Sequence, residues 1–118
     1  MLPYSPLGGG VLTGKYRGGV PADSRAAAHG RSLADIATDR DVGIVEAVAT
    51  AAEGLATSPI AVALAWVRDQ PGVTAPIVGA TKLGHLQDAL AAEQLSLTAE
   101  DVRRLEELYV PHPVLGHI

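Results

Sequence analysis

The chain contains no cysteine and no phenylalanine, and its 118 residues include one tryptophan and three tyrosines. Without cysteine, disulfides and thiolate metal sites are excluded outright. With so few large rings, an aromatic-filled β-sandwich is a poor expectation. The Ala, Val and Leu that dominate the apolar content suit close packing of helices on a sheet. Basic charge is also scarce: nine Lys and Arg stand against thirteen Asp and Glu, for a net charge of −4. The basic residues are scattered, so a generic electrostatic grip on nucleic acid is not expected. No run of about 18 consecutive apolar residues occurs, and the first residues lack the basic and apolar regions of a secretory leader. A soluble cytoplasmic protein with no membrane partner is the expectation. His29, His85, His112 and His117 have no metal-ligand spacing. No nucleophile elbow precedes any Ser, so no catalytic triad is read either.

What is present is a globular composition, 47% hydrophobic and 19% charged, long enough for one domain with one core. Met1–Tyr4 reads as the end of a strand, with Pro3 at an edge or terminus. The glycines Gly8, Gly9 and Gly10 follow, and then a polar, glycine-rich excursion from Gly14 to about Arg40 with no sustained period. Asp41 is a candidate N-cap for a helix to about Glu53, with Val45, Val48, Ala49 and Ala52 on one face and Gly54 placed to end it. Ser58-Pro59 signals a second helix, with Ile60, Ala63, Leu64 and Val67 on one face as far as Asp69. Residues 73–79, VTAPIVG, read as a short buried strand. Thr81-Lys82 leads into a third helix with Leu83, Leu86 and Leu90 on one stripe. Thr98 caps a last helix with Glu100 and Asp101 in its first turn and Val102, Leu105 and Leu108 facing inward. An extended tail, YVPHPVLGHI, closes the chain. Strands separated by helices are the pattern of parallel βα units, and two strands alone do not cover themselves.

Two stretches share one geometry: a strand end followed by a glycine-containing turn. They are Tyr4-Ser5-Pro6-Leu7-Gly8-Gly9-Gly10 and Ile77-Val78-Gly79-Ala80-Thr81-Lys82. In α/β folds ligands sit beyond the C-terminal ends of parallel strands, where loop amides and helix N-termini converge. Glycine permits close backbone approach to a phosphate, and the helix dipole favours an anion. Singly, each motif is weak. A triple glycine is more often a flexible turn, and neither of the standard nucleotide-loop spacings is complete here.

Taken together and in order, these pieces resemble the aldo-keto reductase family, specifically its C-terminal portion. YSPLGGGVLTGKY is similar to the seventh barrel strand and its loop, and PADSR at 21–25 to the segment that follows it in many bacterial members. SPIAVALAWVRDQPGVTAPIVGATKLGHLQDALAA resembles the seventh helix, the eighth strand and the loop after it, and LSLTAEDVRRLEEL the C-terminal helix. The resemblance implies an α/β fold, the last two βα units of a (β/α)8 TIM barrel plus a C-terminal helix and tail, with residues 1–118 forming one C-terminal fragment.

It further implies an NADP(H)-dependent oxidoreductase that reduces aldehydes or ketones. Tyr4 would stack on the nicotinamide. Ser5, Pro6, Leu7, Gly8 and Gly9 would wrap the pyrophosphate. Lys15 would close over the cofactor, and Arg25 would lie near the adenosine end. Gly79, Thr81 and Lys82 would receive the adenosine 2′-phosphate. Where family members commonly carry Gln, and then Glu-Asn three and four residues later, this chain has His85, Asp88 and Ala89. His85 would still donate to a phosphate. Asp88 is one methylene short for the adenine contact, and Ala89 has no amide to offer. The family's catalytic Asp, Tyr, Lys and His fall on earlier strands, so no catalytic residue is assigned here, and the chain alone is expected to be inactive. A carbonyl substrate is expected only for the complete enzyme, and self-association through open sheet edges is the expected hazard. The alternative is a non-catalytic remnant or a nucleotide- or partner-binding module.

Overall fold

The structure, a computed structural model, describes residues 1–7, 11–13, 39–80, 82–109 and 111. Its helices are α1 (Asp39–Gly54), α2 (Pro59–Arg68), α3 (Leu83–Ala92) and α4 (Ala99–Glu106), with a short 3-10 turn at Val11–Thr13.

The other helices pack around α2. Ser58 Oγ accepts the Ala61 amide at 3.2 Å and Pro59 takes the first turn, as the Ser-Pro pair predicts. Ile60, Ala61, Val62, Ala63, Leu64 and Ala65 are all buried, so the helix is enclosed around its circumference. One flank, through Val62, meets Val48 and Ala52 of α1 and Leu105 of α4. The other, through Ile60, Ala61 and Leu64, meets Ala92 of α3, and Leu95 packs against both clusters. Polar contacts fix the far end of α2. Trp66 Nε1–H donates to Glu106 Oε1 at 2.9 Å. The Arg68 guanidinium donates to the carbonyls of Ala92 and, at 2.7 Å, of Leu95, while pairing with Asp69 at 2.8 Å. It thereby ties the last carbonyl of α3, which also accepts the Leu95 amide at 3.2 Å, and the segment just after it to α2. The hydrogen bond from Arg68 holds the Asp69 carboxyl below its ordinary range.

In α1, Val45, Val48 and Ala52 are buried and Ala49 is half-buried, on the expected face. The helix begins at Asp39, however, so Asp41 lies inside the first turn and is not the N-cap. Aspartate is favoured at both places, beside the positive end of the dipole, so its identity alone does not fix the boundary. At the other end Gly54 is the last helical residue, but the left-handed turn falls later, on Ala56 at φ +54°. Ala56 N–H donates to Glu53 O at 3.2 Å and Thr57 N–H to Ala52 O at 2.9 Å. These are the paired bonds of a Schellman ending, with alanine where glycine is usual.

The expected strands are corrected. Met1–Tyr4 and residues 73–79 are extended but form no strand, and no strand occurs among the described residues. The two segments do lie side by side and run in the same direction. Thr74 N–H donates to Met1 O and Ile77 N–H to Pro3 O, both at 2.8 Å, and the Met1 amino group reaches Gly72 O at 3.0 Å. A regular parallel ladder would advance two residues on each side and draw its next donor from position 76. That residue is Pro76, which has no N–H, so the bond passes to Ile77 and the register breaks. Nor is the segment buried: Ile77 and Val78 are exposed.

The leucine stripe of α3 is not core either. Leu83, Leu86 and Leu90 are 70%, 46% and 61% exposed, because the opposite face, with Ala89 and Ala92, is the one that meets α2. In α4, Thr98 and Asp101 form a reciprocal capping box, with bonds of 3.1 Å and 2.9 Å. Leu105 is buried and Val102 half-buried, but Leu108 is exposed where the helix runs out. The excursion at 14–38 and the tail beyond Tyr109, apart from Pro111, lie outside the described residues. No single described helix is long and apolar enough to cross a membrane.

Two outcomes follow from these elements. Ala56→Gly relieves a left-handed alanine and should stabilise the chain by about 0.5–1 kcal/mol in urea unfolding; a destabilisation would contradict the Schellman ending. Glu100, bonded by Arg103 at 2.7 Å and Arg104 at 3.1 Å, has its carboxyl lowered from 4.5 to about 2, chiefly by the Arg103 hydrogen bond. Because the folded value is depressed, this contribution is complete above the ordinary carboxylate range and is lost as pH falls from about 4.5 through about 2. NMR titration of the Glu100 carboxyl should show that low midpoint, and Arg103→Gln should move it upward.

Candidate functional site

The hydrogen bond from Ile77 to Pro3 fixes where the two loops begin. Tyr4 and Val78, the residues that follow, leave from neighbouring points in the same direction. The two stretches singled out from sequence therefore emerge side by side beyond the C-terminal ends of paired extended segments. Loop-borne ligand sites of α/β folds have this arrangement.

On the first stretch Tyr4 is 74% exposed, with its ring open to solvent. Ser5 is also exposed and sits at φ +50°, in the left-handed region and directly before Pro6. A non-glycine residue there carries backbone strain of order 1 kcal/mol. Pro6 is half-buried. Leu7 turns inward and packs on Ile60, Ala61, Leu64 and Ala92, which makes it the anchor of the loop. Leu12 N–H donates to Leu7 O at 3.1 Å, so the two sides of the glycine stretch are tied together. Gly8 and Gly9 themselves, with Lys15 and Arg25, lie outside the described residues.

The second stretch opens α3. At Gly79 a Cβ would meet no atom within 4 Å, and its φ is not positive. Neither packing against the described residues nor backbone conformation calls for glycine there. Lys82 takes the N-cap position with an exposed side chain and makes no capping hydrogen bond, in contrast to Ser58 and Thr98. The Leu83 and Gly84 amides find no acceptor among the described residues, and no acidic side chain stands in the first turn of α3. His85 and Asp88 share the half-buried side of the helix, and the His85 amide donates to Lys82 O at 3.1 Å. Thr81 lies outside the described residues. The turn thus offers two backbone donors without an acceptor among the described residues, a helix dipole and a lysine, a set suited to an anion.

A cleft of about 420 Å³ lies elsewhere, between α1 and α4, lined in part by Thr50, Leu55, Asp101, Arg104 and Leu108. Its polar groups are already engaged. Thr50 donates to Glu46 O, Asp101 completes the capping box, and Arg104 pairs with Glu100. Among the described residues no three His, Asp or Glu side chains gather as they would around a metal ion. Sequence reasoning missed one feature of the site, the left-handed Ser5, for which the chain carries no glycine signal.

Comparison with known proteins gives a match to the model of the Aldo/keto reductase family over residues 1–110. An aldo-keto reductase of Metarhizium robertsii is 34% identical over 120 residues, 99% of this chain and 31% of its own length. An aldo-keto reductase of Fusarium vanettenii is 34% identical over 122 residues, again 99% of this chain and 31% of its own length. A protein of Oryza sativa named "Probable voltage-gated potassium channel subunit beta" is 36% identical over 118 residues, 96% of this chain and 36% of its own length. The chain spans about a third of the length of the curated relatives it matches.

The uncapped start of α3 makes a direct prediction. Lys82→Ser supplies the missing N-cap acceptor and should raise stability by about 0.5–1 kcal/mol. Equilibrium urea unfolding checks it, and no gain would mean that the first-turn amides are already satisfied.

Proposed function

This chain belongs to the aldo/keto reductase family, and we propose that it holds NADP(H) for an oxidoreductase that reduces aldehydes or ketones. The supporting observation is the pair of loops leaving side by side, one of which opens a helix whose Leu83 and Gly84 amides have no acceptor among the described residues. These residues suit the cofactor by their donor chemistry. A phosphate needs several N–H donors and a cation, and Leu83, Gly84 and Lys82 provide them at one turn. Gly79 leaves open the space that a side chain would take. On this reading Lys82, with Thr81, receives the 2′-phosphate, and His85 adds a donor one turn along. Tyr4 offers an exposed ring for the nicotinamide, while Ser5, Pro6, Leu7, Gly8 and Gly9 line the pyrophosphate. Lys15 closes over the cofactor, Arg25 lies near its adenosine end, and Asp88 stands toward the adenine, one methylene short of the usual contact.

Bound NADPH would supply the hydride that reduces the carbonyl carbon. The residues of this chain bind and orient; none of them is assigned the proton donor, and a carbonyl substrate belongs to the complete enzyme. The same reading places the protein in the cytoplasm, without nucleic-acid or membrane partners, as a C-terminal part of the (β/α)8 barrel. A second reading, a binding module without turnover, draws on the third of family length that the chain spans.

NADPH fluorescence titration of the purified chain should show saturable binding in the micromolar range, with NADH weaker for want of the 2′-phosphate. Lys82→Ala should weaken NADPH by about tenfold, the worth of one charge-assisted contact. The chain alone should not oxidise NADPH with a panel of aldehydes. Absence of saturable binding would overturn the proposal.

A further inference from the structure

α3 is amphipathic in the inverse sense: Ala89 and Ala92 face the protein and its leucines face outward. Leu83, Leu86 and Leu90 are spaced three and four residues apart, the repeat of a helix-pairing seam. The exposed residues beside that seam within the helix, Gln87 and Ala91, carry no charge, so a chain with net charge −4 meets no like-charge barrier along this face. Charge stands only at the two ends, with Lys82 at the start and Glu93 just past the last turn, both exposed.

The positions of these groups are self-complementary. Lys82 and Glu93 are eleven residues apart, close to three full turns of about 3.6, so they lie along one side of the seam. Their midpoint falls between Gln87 and Asp88, and the midpoint of Leu86 and Leu90 falls at Asp88. A single twofold axis there, perpendicular to the helix, sets Leu86 against Leu90 of a second copy. The same axis brings Lys82 beside the second copy's Glu93, twice over. The antiparallel arrangement also opposes the two helix dipoles. Glu93 lies in the field of Arg68 as well, which shares but does not cancel its attraction for the second lysine.

The geometry points to a homodimer formed by antiparallel pairing of α3 with α3 of a second copy. This is a more specific surface than the open edges of the extended segments, and it does not depend on the nucleotide reading. The seam is short, so the dimer is weak and forms as concentration rises, in the micromolar to millimolar range of small interfaces.

Sedimentation equilibrium of the full chain without nucleotide should show a monomer–dimer equilibrium. Leu86→Glu should weaken it at least about tenfold with helix content unchanged, since Leu86 is already exposed. Lys82→Glu and Glu93→Lys should each weaken it about threefold, and the double variant should recover most of that loss. A chain that stays monomeric to millimolar concentration overturns the proposal. So does a dimer that Leu86→Glu leaves intact, which would assign association to the extended edges, and so does a failure of the double variant to recover. Nucleotide binding is titrated separately and at low protein concentration, so either reading can fail without the other.

Discussion

The structure depends on the burial of α2, whose residues from Ile60 to Ala65 alternate a larger apolar side chain with an alanine. α2 receives α1 and α4 on one flank and α3 on the other, with Leu95 bridging the two. Small side chains let neighbouring backbones approach and leave little room for a void, so packing is set by shape more than by volume. Stability then rests on how well these surfaces meet. That places weight on the polar ties at the far end of α2, Trp66 to Glu106 and Arg68 to the end of α3.

Those ties also position the candidate site. Arg68 grips the C-terminal end of α3, the inner face of α3 packs on α2, and the N-terminal turn of α3 is thereby aimed from a fixed body. Leu7 does the same for the other loop by inserting into the cluster of Ile60, Leu64 and Ala92. The site is therefore not a feature of two loops alone. Both are anchored to one side of α2, and the Ile77–Pro3 hydrogen bond sets where they begin.

Features governed by local chemistry were legible in the sequence. Ser58-Pro59 and Thr98 with Asp101 announced their helices, because caps are satisfied within four residues. Left-handed turns were not legible, since Ser5 and Ala56 adopt them without the glycine that normally marks them. The strand expectation at 73–79 failed although a signal stood in plain view. Pro76 has no donor for a ladder, and it sits where the next hydrogen bond was due. Periodicity identified the face carrying Leu83, Leu86 and Leu90, but a period names a face and not what covers it. Of the site, residues at Gly79–Lys82 and Tyr4–Leu7 were picked out by loop chemistry and order. That these loops leave side by side required the long-range bonds between residues 1–3 and 72–77.

α3 concentrates what the rest of the chain avoids. Its first turn lacks a cap of the kind Ser58 and Thr98 provide elsewhere, and its leucines face outward while Ala89 and Ala92 meet the interior. A sequence selected for the stability of this chain alone would reverse both choices: a serine at position 82, and leucines on the face that meets α2. Each departure leaves a group unsatisfied in a particular direction. The Leu83 and Gly84 amides, without acceptors among the described residues, and Lys82 suit an anion at the N-terminal end, and the leucines suit an apolar partner along the side. The two demands fall on different surfaces of one short helix, so an anion at the end and a partner along the side need not compete for space. They do share Lys82, through which charge neutralisation at the turn would be felt at the seam.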